Sequence, residues 1–193
     1  MTTLSTSDNI LACAHSLIIA GGYNGFSYAD IADKVGIRKP SIHHHFPSKV
    51  DLVRTLVARY REQAEAGVAE LERRIRDPVE LLRNCLGYWE TCIMDASASF
   101  CICALMASEI PVLPDLVVFE IRAHFRFLSG WLCSVFERGV EQGRFALVST
   151  PAAEAEAFLA TLHGAMLSAR AYNDPNVFGL ITAPLLDRLM VRQ

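Results

Sequence analysis

Apolar residues recur every three to four positions along most of this chain, and only short segments rich in proline, glycine, asparagine or aspartate interrupt that period. A 3.6-residue period predicts amphipathic helices, and strand-forming runs of β-branched residues are few. The pattern predicts helices at about 6–20, 27–35, 39–46, 49–76, 79–95, 98–109, 115–142, 152–172 and 176–190. The chain is therefore predicted to be all-α.

The three N-terminal helices have the proportions of a helix-turn-helix head. Ser27 and Asp30 make a capping-box-like start for the second helix, and Gly36 ends it as a left-handed C-terminal glycine. Pro40 lies in the first turn of the third helix, where its missing N–H is tolerated. We therefore expect a three-helix DNA-binding domain at 1–50, joined to a larger helical ligand-binding and dimerisation domain at 51–193.

The outward face of the third helix is rich in hydrogen-bond donors. Such donors suit phosphates and base edges, so double-stranded operator DNA is the predicted partner. Residues 1–62 carry a net charge of +2 and the remainder −5, so the basic end is the predicted DNA end. The predicted DNA-binding residues are Arg38, Lys39, Ser41, His43, His44 and, at the start of the fourth helix, Lys49.

The stretch FSYADIADKVGIRKPSIHHHFPSKVDLV resembles the DNA-binding signature of the TetR family of bacterial regulators. The matching residues are Ile31-Ala32, Val35-Gly36-Ile37, Ser41-Ile42, His45-Phe46, Ser48-Lys49 and Leu52. The resemblance implies an all-helical homodimer in which a ligand bound to the body moves the two heads apart. In that family a tyrosine that commonly touches a phosphate usually stands where this chain has His43. The imidazole can still donate a hydrogen bond, with a strength that depends more on pH.

Metal, nucleotide and catalytic sites lack support in the sequence. Consecutive helical residues point about 100° apart, so His43, His44 and His45 cannot converge on one ion. No GxGxxG or P-loop motif is present, so no cofactor is predicted. No recognisable base and nucleophile pair exists, and the chain is predicted not to be an enzyme. A thiol-based enzyme and an architectural DNA-binding protein that senses nothing stay open as alternatives.

Aromatic, methionine and cysteine residues on the middle helices predict a pocket for a small apolar or electrophilic effector, with a packed core as the alternative. The segment Phe100–Leu105 resembles a subgroup of the same family that responds to reactive electrophiles, with Phe100 in place of a glycine. Cys101 is predicted in the first turn of its helix, where the helix dipole favours a thiolate. The predicted ligand-binding residues are Cys85, Trp89, Cys92, Cys101, Met106, His124, Phe125 and Trp131.

Small residues on helix 152–172 predict the dimer interface. Together with helix 176–190 they would build a four-helix bundle across a two-fold axis, the alternative being an internal helix pair. The chain is 52% hydrophobic, which an interface would help to bury. We see neither a signal peptide nor an apolar run of ~20 residues, so we expect a cytoplasmic protein without membrane contact and with reduced thiols. The predicted interface residues are Ala157, Ala160, Gly164 and Ala165.

Overall fold

The computed structural model describes residues 5–94 and 100–190, and these residues form nine α-helices. The all-α prediction is confirmed, and most helix ends lie within two residues of the predicted positions. The helices are α1 (Thr6–Gly21), α2 (Tyr28–Val35), α3 (Lys39–His45), α4 (Lys49–Arg74), α5 (Pro78–Met94), α6 (Ile102–Ala107), α7 (Asp115–Glu141), α8 (Pro151–Tyr172) and α9 (Asn176–Leu189).

The largest departure from the predicted helices is at α6. This helix begins at Ile102, so Cys101 precedes it and does not lie in its first turn. A short 3₁₀ helix, Ile110–Val112, follows where the sequence predicted only a separator. The predicted separator at 95–97 lies outside the described residues.

The helix ends are fixed by local hydrogen bonds of the expected kinds. Ser5 caps α1 by accepting a hydrogen bond from the Asp8 N–H group, and Thr150 caps α8 by accepting one from Ala153. Gly22 follows α1 with φ +73°, and Asn173 ends α8 in the left-handed region. These caps and backbone conformations determine where α1 and α8 begin and end.

By packing, the chain divides into two compact units. One contains the residues up to Ala64 together with Ile102–His124, and the other contains Glu65–Cys101 and the residues from Phe125 onward. The packing therefore divides α4 and α7, whereas the predicted division at 50/51 is one of function and stays a prediction.

Each unit has its own core of fully buried side chains. In the first unit, α1, α2, α3 and α4 contribute Ile10, Ile18, Ile31, Ile42 and Leu52. In the second unit, α8 packs against α9 and α9 packs against α5. Its buried side chains include Leu81, Leu82, Phe136, Phe158 and Phe178.

Within residues 5–94 and 100–190, we find no helix whose length and apolarity would let it cross a membrane.

Candidate nucleic-acid interface

Helix α2 and the turn after it form as the sequence predicts. The Ser27 hydroxyl accepts from the Ala29 N–H group, and the Asp30 carboxylate accepts from the Ser27 N–H group at 2.7 Å, which completes the capping box. The hydrogen bonds from Ser27 lower the pKa of the Asp30 carboxyl. Gly36 ends the helix at φ +73°, a conformation that favours glycine. The turn therefore directs the chain into α3.

Helix α3 is held in place by buried contacts and by a hydrogen bond from α2. Ile42 and Phe46 are buried, together with Ile31 and Ala32 of α2. The Tyr28 hydroxyl donates to the Phe46 carbonyl at 2.8 Å, and burial raises the pKa of Tyr28 to about 12. These contacts fix which side of α3 faces outward.

The outward side of α3 carries the predicted DNA-binding residues. Arg38, Lys39, His43 and His44 are exposed, and Ser41 is half-buried. The structure brings these five residues to one short segment that runs from the end of the turn through α3. Polar and charged groups of these kinds suit phosphates and base edges, and the contacts of these residues with DNA stay a prediction.

Lys49 is placed differently from the prediction. Its ammonium group lies 4.1 Å from the centre of the Phe26 ring and 4.9 Å from that of Tyr23, and it donates to the Phe26 carbonyl oxygen. Burial lowers the pKa of Lys49, while the nearby carboxylates of Asp30 and Glu109 oppose that effect. The predicted phosphate contact therefore requires the Lys49 ammonium group to leave its position beside the Tyr23 and Phe26 rings.

His43 uses one of its ring nitrogens within the protein. Its Nδ1 atom lies 3.1 Å from the Pro47 carbonyl oxygen, and its ring centre lies 4.8 Å from that of Tyr28. The neighbouring rings of His44 and His45 meet edge to face. In the part of the chain that the structure describes, no group of three His, Cys, Asp or Glu side chains could hold a metal ion.

The predicted ligand-binding residues separate into two sets. Met106 and His124 are buried in the first unit, where His124 packs against the Tyr60 ring at 5.3 Å. The other six belong to the second unit. Trp131 has a structural partner there, because its indole N–H group donates to Glu72 at 3.0 Å. Phe125 packs against the His163 ring at 5.3 Å.

Three predicted ligand-binding residues in the second unit interact with Tyr88, which is 59% exposed and which the sequence did not single out. The Tyr88 and Trp89 rings meet edge to face at 5.3 Å. Burial raises the pKa of the Tyr88 phenol, and the Cys92 thiol, which is hydrogen-bonded to it, and Cys101 raise it further. The spacing of four residues between Tyr88 and Cys92 on one helix was the available signal.

The second unit also has an open groove that the sequence did not predict. Its volume is about 600 Å³, and Gly179 lets α9 approach the Glu90 side chain of α5 closely. None of the eight predicted ligand-binding residues lines it. The lining residues are Glu90, Thr91, Met94, Asn176, Gly179 and Leu180.

The predicted dimer residues lie on two faces of α8. Ala157, Ala160 and Gly164 are exposed, whereas Ala165 is fully buried within the chain. Ala165 was therefore assigned wrongly to an intersubunit contact, because it lies about 100° round the helix from Gly164 and packs inward.

An exposed helix-turn-helix segment, followed by further helices through the described residues, is typical of DNA-binding transcriptional regulators. The family model described as bacterial regulatory proteins, tetR family, matches residues 10–56. The crystal structure of a TetR-family transcriptional regulator from Agrobacterium tumefaciens is 63% identical in sequence, with a TM-score of 0.94; the match covers 96% of this chain and 97% of that one. The chain belongs to the TetR family.

Two further relatives are more distant. A TetR transcriptional regulator from Legionella pneumophila is 25% identical, with a TM-score of 0.88 over 98% of this chain and all of the other. The curated HTH-type transcriptional activator FasR of Mycolicibacterium smegmatis is 30% identical over 74 residues, which are 38% of this chain and 34% of FasR. The chain thus spans about a third of the length of that curated relative.

Proposed function

We propose that this regulator is a homodimeric repressor that binds a near-palindromic operator and is released from it by a small-molecule effector bound in the helical body. The observation that carries the proposal is a continuous exposed stripe of small and apolar residues on α8. Its members, spaced alternately four and three residues apart, are Ala153, Ala157, Ala160, Gly164, Leu167 and Ala171.

The stripe has the properties of a helix-packing seam. Spacing of three and four residues keeps its members on one face, and their small side chains permit the close approach of another helix. Two large apolar side chains outside the stripe, Tyr172 at the end of α8 and Leu180 on α9, are 74% and 76% exposed in the single chain. A second copy that packs on this surface would cover them and would place two heads on one duplex.

The dimer is tested with a matched pair of glycine substitutions. Gly164 and Gly67 are both exposed helical glycines with open space where a Cβ atom would project. Gly164→Arg is expected to give a monomer or an unfolded chain in sedimentation, because the cation would be trapped in a tight seam. Gly67→Arg should sediment as the wild type does. A wild type that sediments as a monomer at micromolar concentration would contradict the proposal.

The effector part of the proposal is supported by the second unit. The Tyr88 cluster, defined as Tyr88, Trp89, Cys92 and Cys101, joins aromatic rings and thiols, a composition suited to a small apolar or electrophilic molecule. The test is a gel shift on the DNA upstream of the protein's own coding sequence, with and without a panel of such molecules. Release by a panel member supports the proposal.

Whether the protein represses or activates its target is measured with a reporter gene fused to the controlled promoter, in cells with and without the gene of the regulator. A repressor operates where the operator is, in the cytoplasm, and deletion of the gene should raise the output of the controlled promoter. The curated relative FasR is named as an activator, and for an activator the same deletion would lower the output.

A further inference from the structure

His43 stands on the exposed side of α3, and the use of its Nδ1 atom decides what the rest of the ring can recognise. A carbonyl oxygen only accepts hydrogen bonds, so the 3.1 Å contact with the Pro47 oxygen requires that Nδ1 carries the proton. In a neutral imidazole the other nitrogen, Nε2, then carries a lone pair and no proton. Neutral His43 therefore presents an acceptor to its surroundings.

Neighbouring residues hold both the imidazole of His43 and the Pro47 carbonyl group in place. The Tyr28 ring lies 4.8 Å from the imidazole and limits its rotation. The acceptor is also fixed, because Ser48, the residue after Pro47, starts α4 with reciprocal hydrogen bonds to Asp51. The tautomer is consequently set by the junction of α3 and α4.

An acceptor at this position cannot pair with the DNA backbone. Phosphate oxygens also accept, so a neutral His43 would meet them without a hydrogen bond. In the major groove, however, the amino groups of adenine (N6) and cytosine (N4) are donors. We infer that His43 is a specificity-determining residue whose Nε2 atom accepts a hydrogen bond from the amino group of an adenine or a cytosine.

This inference rests on the operator binding proposed above and replaces the expectation that the imidazole donates to a phosphate. It assigns His43 to base recognition, whereas Arg38 and Lys39 remain candidates for the backbone. The two roles have different signatures. Loss of a base contact relaxes sequence preference at one position, whereas loss of a phosphate contact weakens binding to every sequence and flattens its salt dependence.

The experiment starts from selection of preferred sequences out of a randomised duplex library at a pH of about 8, where an imidazole in water is mostly neutral. Wild type and His43→Phe are compared, with His44→Phe as the matched control on the same helix. Wild type should specify an adenine or a cytosine at one position of each half-site. His43→Phe should lose that preference and keep the others, and His44→Phe should keep that preference.

The amino group is then removed from the DNA. The selected adenine is replaced by purine, or the selected cytosine by 2-pyrimidinone, each of which lacks only the exocyclic amine. Wild type should lose about fivefold in affinity, the value of one hydrogen bond of ordinary strength. His43→Phe should bind both duplexes equally, with the salt slope of the wild type. If His43→Phe does not fold, the smaller His43→Leu, which also lacks an acceptor, should lose the same preference.

Three results would overturn the inference. A uniform loss of affinity in His43→Phe with a salt slope flattened by about one unit would assign His43 to a phosphate. Unchanged selection in that variant would show that His43 reads no base. A wild type that selects no sequence would overturn the proposed operator binding itself, an outcome distinct from the other two.

Discussion

The Glu109 carboxylate accepts a hydrogen bond at 2.9 Å from the backbone N–H group of Tyr23, the residue that follows the glycine at the end of α1. A Cβ atom on that glycine, Gly22, would lie 2.1 Å from Glu109 Oε1. The close approach of this acidic side chain therefore depends on the absence of a side chain at position 22. Glu109, which comes just after α6, and the end of α1 form one interlocked contact in the first unit.

Gly22→Ala is expected to destabilise the protein by more than the strain of its backbone alone. Both Gly22 and Gly36 have φ +73°, but Gly36 has ψ +34°, in the left-handed helical region, whereas Gly22 has ψ −174°, a conformation almost confined to glycine. A Cβ atom on Gly36 would also meet open space. Gly36→Ala should thus cost only the strain of a left-handed alanine, about 1–2 kcal/mol. Gly22→Ala should cost more than that, because its backbone strain is larger and because it also disrupts the hydrogen bond from Tyr23, a further 1–2 kcal/mol or so. Urea unfolding of both variants measures the difference.

The double variant shows whether Glu109 causes that difference. With Glu109→Ala already present, the added cost of Gly22→Ala should fall by about the value of that hydrogen bond, because the obstructing carboxylate has gone and only the backbone strain remains. If Gly22→Ala lowers the free energy of unfolding equally in the presence and in the absence of the Glu109 side chain, the interlocked contact is contradicted.

Lys39→Ala is expected to weaken binding to all duplexes and to reduce the slope of log affinity against log salt by about one unit, because an exposed lysine on α3 that touches a phosphate releases one counterion. Stability should not change. Titrations at several salt concentrations on the selected operator and on an unrelated duplex provide the measurement. An unchanged slope would exclude Lys39 from the backbone contacts.

Lys49→Ala is expected to lower the free energy of unfolding by about 1 kcal/mol, because the variant loses the contact of the ammonium with two aromatic rings. The exposed Lys39→Ala serves as the comparison. The Lys49 phosphate contact stays a prediction, and a flattened salt slope in Lys49→Ala would support it. A variant as stable as the wild type would show that the contact of the ammonium group with the two rings contributes nothing to the free energy of unfolding.

The head was predictable because its signals are local. Ser27, Asp30 and Gly36 act on residues within one or two turns, so their spacing alone predicts the caps and the turn. Lys49 shows where this reasoning ends. The rings of Tyr23 and Phe26 lie more than twenty positions earlier in the chain, and no local pattern indicates that they enclose its ammonium group.

The body was predictable only in part, since a helical period shows that a residue faces a neighbour without showing which neighbour. Trp131 and Cys92 both lie on apolar faces, yet one donates to Glu72 and the other contacts Tyr88. Ala165 is a different case. The spacing of the stripe through Ala160 and Gly164 already excludes it, because the adjacent position lies about 100° round the helix.

The stability of the head should depend on the charge of Asp30. Hydrogen bonds from Ser27 lower the pKa of this carboxyl below 3.8 in the folded chain. A lowered folded-state pKa contributes stability above the unfolded value, and that contribution is lost as the pH falls through the folded value. The midpoint temperature of thermal unfolding should therefore fall less steeply between pH 6 and pH 2 for Asp30→Asn than for the wild type. Parallel curves would contradict this role.

Cys85 and Cys101 should react slowly with a mild alkylating reagent. Cys85 is half-buried, and desolvation raises the pKa of its thiol to about 12, so at pH 8 it holds very little of the nucleophilic thiolate. Cys101 is 1% exposed and precedes α6, so burial opposes the reactivity that a place in the first turn of a helix had suggested. In the folded protein both should react far more slowly than in urea, as measured by peptide mapping over time. Rapid modification of Cys101 in the folded protein, accompanied by loss of operator binding, would instead favour a thiol sensor.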